Sequence, residues 1–60
     1  MKYKNQIDRS LEDCENLVAT LALEVESGKS YVTGEYVAQR LAIVKHKIED
    51  ARNYLNLEDE

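Results

Sequence analysis

The chain has no proline, one cysteine, one histidine and only two glycines, both near its middle. Each scarcity removes an option. A single cysteine leaves no internal disulfide to staple a chain of 60 residues, which is near the lower limit for folding alone. His46 has no second ligand at helical spacing beyond Glu49 and Asp50, so a metal does not supply the staple either. The longest unbroken apolar run, Leu41-Ala42-Ile43-Val44, is far short of the ~20 residues of a membrane span. Met1 to Gln6 has no apolar run behind it, and no signal peptide is expected. With a net charge of −4, the expectation is a cytoplasmic protein without a membrane or polyanion surface.

What the chain does have is two ladders of apolar residues. The first is Ile7, Leu11, Cys14, Val18, Leu21 and Val25. The second is Val37, Leu41, Val44, Ile48, Ala51 and Leu55. Both climb by alternating steps of four and three, the seam spacing of helices that pack side by side. The ladders mirror each other about Tyr31, so that a chain folded back there sets Ile7 level with Leu55, Val18 with Val44, and Val25 with Val37. The expectation is an all-α antiparallel two-helix hairpin, helices over about 4–27 and 34–56, in one domain spanning 1–60. Gly28 suits a left-handed helix end, and Thr33 suits the N-cap of the second helix, with Glu35 in its first turn. Val32 and Val37 can form a hydrophobic staple, and Asn5 with Asp8 a cap pair for the first helix.

Charges carry the same message. Call the ladder positions a and d, with Ile7, Cys14, Leu21, Val37, Val44 and Ala51 at d. In an antiparallel pair the flanking e positions face each other, as do the g positions. The e pairs are then Asp8–Arg52, Glu15–Lys45 and Ala22–Ala38; the g pairs are Ser10–Tyr54, Leu17–Lys47 and Glu24–Arg40. Three of the six are opposite charges and none is a clash. At the mouth Lys4 falls level with Glu58, and Lys2 with Glu60.

A lone hairpin leaves half of each helix wet, so self-association into a four-helix bundle is expected, a homodimer first of all. Two apolar stripes lie beside the seam. On the c and g side are Tyr3, Leu17, Tyr36, Ile43, Tyr54 and Leu57; Leu23 points almost straight out. On the e and b side are Ala19, Ala22, Ala38 and Ala42. The large stripe, with Leu23, is the candidate interface. The alanine stripe would let a second helix come close.

No catalytic, cofactor or metal site is expected. Cys14 lies at an inward position and reads as a small hydrophobe. His46 reads as a solvated surface residue. Gly28-Lys29-Ser30 echoes a phosphate-binding loop, but the upstream glycine it needs would fall at Leu23. The acids Glu12, Asp13, Glu15 and Glu58 to Glu60 read as a solvated face and a helix end, and every inward position is apolar. The reading is a non-enzymatic helical interaction or regulatory module, of a kind common among phage and accessory-gene products. It acts on itself or, as an inhibitor would, by docking on a larger protein. The rival is RNA. The second helix holds Arg40, Lys45, His46, Lys47 and Arg52 with no acid between Glu35 and Glu49. The layout resembles the plasmid repressor-of-primer family, short acidic helical hairpins whose dimers bind paired RNA loops. That likeness is one of length, charge and layout, and brings no residue with it. Because Arg40, Lys45 and Arg52 already face acids, the nucleic-acid contacts on this reading are His46, Lys47 and Lys29.

Overall fold

The structure is a computed structural model that describes residues 2–58. Two helices, α1 (Lys4–Ser27) and α2 (Gly34–Glu58), lie antiparallel in a hairpin 46 Å long and 10–16 Å across. The second helix runs two residues beyond the expected end, while α1 has the expected bounds.

The connection follows from its residues. Gly28 takes φ 63° and ψ 33°, a left-handed conformation, and its N–H donates to the Val25 carbonyl at 3.2 Å. A residue without a side chain ends a helix this way at least cost. The Ser27 hydroxyl donates back to the Leu23 carbonyl at 2.9 Å, closing the last turn of α1. Thr33 caps α2, its Oγ1 accepting the Tyr36 N–H at 3.1 Å. Val32 and Val37 are both half-buried, as a staple requires. The start of α1 differs from expectation. Tyr3 stands at the cap position with no side-chain cap, and Asp8 instead accepts from Lys4 Nζ at 2.7 Å, one turn away along the helix. At the mouth the Tyr3 N–H donates to the Glu58 carboxylate. The Lys2–Glu60 pair lies outside the described residues.

The seam is displaced from the ladder axis. The d residues Ile7, Cys14, Leu21, Val44 and Ala51 are buried, and Val37 is half-buried. Their neighbours in the seam are at g: Ser10 is buried, while Leu17, Glu24, Arg40, Lys47 and Tyr54 are half-buried. The a residues, expected to share the seam, stand outside it. Both helices have turned toward their g flanks, and the two-helix seam is d with g. The register is also slightly different. The Asp13–Lys47 and Glu24–Tyr36 contacts are both centred on Ser30, one residue from the expected Tyr31. Cys14 Sγ lies 3.7 Å from the Val44 carbonyl oxygen, not beside Ile48.

Size explains the turn toward g. Each flank holds one Glu, one Lys and one Arg, so the long arms do not distinguish them. The g flank adds Leu17 and Tyr54, both half-buried, where the e flank has only Ala22 and Ala38. With two helices only, more carbon leaves water on the g side. Ser10 and Ala51 are small, which lets the helices approach closely at the mouth half.

Candidate interaction surfaces

Two faces result, one on each side of the hairpin. On the g side a network ties the helices together. The Tyr36 hydroxyl donates to Glu24 Oε2 at 2.6 Å, and the Arg40 guanidinium lies 5.1 Å over the Tyr36 ring. Tyr31 meets Tyr36 edge to face at 5.4 Å. The Tyr36 hydrogen bond, with a smaller contribution from the Tyr31 hydroxyl, holds the Glu24 carboxyl below its ordinary pKa; the Glu24 carboxylate in turn raises that of Tyr31. Lys47 Nζ sits 3.4 Å from Asp13, the one ion pair between the helices among the described residues. Tyr3 and Tyr54 pack at 5.4 Å near the mouth. Between these contacts runs an open groove of about 550 Å³, with Leu17, Thr20 and Ile43 in its lining.

Of the six candidate interface residues, Leu17, Tyr36 and Ile43 line this groove. Leu17, Tyr36 and Tyr54 are half-buried within the hairpin, Ile43 and Leu57 are exposed, and Leu23 stands apart at 67 % exposed. The expected alternative contacts to nucleic acid are scattered. Lys47 is not free, because Asp13 faces it. His46 Nδ1 lies 3.7 Å from Glu49, and Lys29 stands alone at the turn. A basic stripe free of acids is what phosphate binding needs, and these three residues do not make one. Among the described residues none of the three expected ion pairs, Asp8–Arg52, Glu15–Lys45 and Glu24–Arg40, forms within the hairpin; Glu24 is taken by Tyr36. Lys45 instead approaches Glu49 at 4.0 Å on its own helix. Cys14 is buried, with its thiol directed at a backbone carbonyl.

The other face is not singled out by apolar spacing alone, which places its residues in the core. It consists of the six a residues Leu11, Val18, Val25, Leu41, Ile48 and Leu55, each 45–52 % exposed. At 100° per residue these positions lie to the same side of the d row on each helix. In an antiparallel pair that side is shared, so the two rows form one apolar face. The e residues run beside it: Asp8, Glu15 and Ala22 on α1, and Ala38, Lys45 and Arg52 on α2. The signal was present in the spacing. A seam of two helices needs about two apolar positions per heptad on each, but small seams are satisfied by d with amphipathic g residues, which frees a.

The chain exposes 4732 Å², against roughly 4000 Å² for a compact monomer of 6.9 kDa, as an elongated hairpin 46 Å long and 10–16 Å across must. No side chain among the described residues reaches full burial.

Among the described residues no three His, Cys, Asp or Glu side chains group as a metal site, and no helix is long and apolar enough to cross a membrane. No family model, curated protein or solved structure matches the chain.

Proposed function

We propose that this protein is a non-enzymatic interaction module whose working unit is a homodimer, a four-helix bundle of two hairpins joined through their a faces. The single observation that carries the reading is the uncovered a row. Six branched aliphatic side chains at regular spacing on one face are half a bundle core. A second copy is the partner whose own row has the same spacing and length. The alanines at e and b, Ala19, Ala22, Ala38 and Ala42, let its helices come close toward the turn end. The Leu17–Tyr36–Ile43 groove stays on the outside of such a dimer, open to a larger protein. RNA is the weaker reading because Asp13 faces Lys47 and Glu49 faces His46.

Light scattering at micromolar concentration should report about twice the 6.9 kDa chain mass, with a melting temperature that rises with concentration. Ile48→Glu places a charge in the a row and should give a monomer that still folds. Ile43→Glu, on the groove side, should leave the dimer intact. A monomeric wild-type chain at millimolar concentration would refute the reading, as would a dimer lost through Ile43→Glu and kept in Ile48→Glu. Structured RNA titrated at low salt should show no binding tighter than about 10 µM; tight, salt-sensitive binding would put the RNA reading first.

A further inference from the structure

Two hairpins can join their a faces about a twofold axis in two ways, with the turns at the same end or at opposite ends. Resting on the dimer proposed above, we infer that the partner is a second copy of this chain with its turn at the same end, so that α1 of each copy packs along α2 of the other. The charges bordering the a row decide it. On α1 the charged e residues are both acids, Asp8 and Glu15; on α2 both are bases, Lys45 and Arg52. None of them meets an opposite charge on the other helix of its own hairpin, because the seam has turned to g. Among the described residues Glu15 and Arg52 have no ion-pair partner, Asp8 holds Lys4, and Lys45 reaches Glu49 only at 4.0 Å with both side chains at least half exposed.

A twofold axis parallel to the helices keeps every residue at its own height along the bundle. The ion pair and hydrogen bonds between the helices are centred within about one residue of Ser30. Residues equidistant from Ser30 are therefore level to within about a residue, within a copy and between copies alike. Glu15 is then level with Lys45 of the partner, Asp8 with Arg52, and Ala22 with Ala38. The ion pairs that the hairpin leaves unmade are completed between copies, in register, and the two alanines meet where the helices need to be close. The bundle then has neighbours that are antiparallel all round, with g facing g inside each hairpin and e facing e between them. The alternative axis, across the helices, lays α1 on α1 and α2 on α2. It sets Glu15 against Glu15 and Lys45 against Lys45, like charges at both borders. Glu49 lies on the outer b position and is already turned toward His46 and Lys45, so it does not reverse the balance.

The test reads orientation and affinity separately. Spin labels at Ser30→Cys, in a Cys14→Ala background, should lie ~20 Å apart across the dimer if the turns share an end. Opposite ends would separate them by a helix length or more, ~40 Å. Sedimentation of the unlabelled chain gives the second arm and does not depend on replacing Cys14. Glu15→Gln removes an attraction in the same-end dimer and should raise its dissociation constant roughly tenfold, since the twofold axis makes the pair twice and both are lost. In the opposite-end dimer it removes a repulsion and would lower that constant. Long label distances, or tighter association of Glu15→Gln, overturn the orientation while leaving the dimer standing. A chain that stays monomeric in every arm overturns both.

Discussion

The two flanks of the hairpin began as equals in the heptad pattern and ended differently. The g flank is bonded: Tyr36 to Glu24, Lys47 to Asp13, Tyr54 against Tyr3. The e flank makes no contact of this kind across the hairpin. The difference lies in apolar bulk. Each flank holds one Glu, one Lys and one Arg, but g also has Leu17 and Tyr54 where e has Ala22 and Ala38, and neutral Ser10 where e has charged Asp8. Leucine and tyrosine cover a seam, and the tyrosine tip stays at its edge. Alanine covers little. A helix pair with unequal flanks turns toward the flank that covers more, and the apolar row on the other side is left for a second molecule. Apolar spacing thus identified the residues that want burial, and the flanking residues decided which of them the hairpin buries itself.

The largest break in that comparison comes from a position common to both arrangements. Leu21 is buried at d, 8 % exposed. Leu21→Asp should cost about 3 kcal/mol or more through an unpaired buried charge, and leave circular dichroism without a cooperative melt. Retained helix with a normal melt would show that d is not the seam. Next come two alanines that size should treat differently. Ala51→Leu overfills the hairpin seam and should cost about 1–3 kcal/mol at any concentration. Ala22→Leu, at e, should leave the dilute monomer as stable as before and weaken only association. Equal losses at both positions would erase the distinction between the flanks.

A smaller effect is expected at the turn, which serves both faces. A Cβ on Gly28 meets nothing within 4 Å, so Gly28→Ala pays only for its positive φ. It should cost about 1 kcal/mol, read by denaturant titration, with the dimer geometry unchanged. The smallest effect is electrostatic and confined to the g side. Glu24 sits below its ordinary pKa of 4.5 through Tyr36. A carboxyl depressed on folding stabilises the fold above its unfolded pKa, and that stability is lost as pH falls through the depressed value. Thermal melts should therefore decline slightly below pH 4.5, and Glu24→Gln should flatten that decline. For Tyr31 the sign is reversed. Its pKa is raised above 10.0, so its contribution is full below that pH and fades as pH rises through the raised value. An acid-side slope identical in wild type and Glu24→Gln would remove the Tyr36 hydrogen bond from the account.

Much of the fold was legible in the chain. Step spacing placed both helices, Gly28 and Thr33 placed the turn, and the mirrored ladders placed the fold-back within one residue of Ser30. The site was less legible. Heptad position marks Tyr36, Leu17 and Tyr54 as a surface for a partner, yet they are half-buried within the hairpin. Spacing marks Leu11, Val18, Leu41 and Ile48 as core, yet they are 45–50 % exposed. The reason is that a and d are equivalent in a heptad pattern, and nothing local distinguishes a residue that meets its own hairpin from one that meets another.

By itself the sequence determined what depends on neighbours along the chain: helix content, helix ends, hairpin topology and the twelve residues that favour burial. These follow from 3.6-residue periodicity and from backbone preferences at a few positions, both local properties. Only the tertiary structure decided the rotation of each helix about its own axis. That angle is a balance among side chains far apart in sequence, Tyr36 against Glu24, Lys47 against Asp13 and Tyr3 against Tyr54. A rotation of part of a turn moves six aliphatic side chains from the seam to the surface without changing a single helical hydrogen bond.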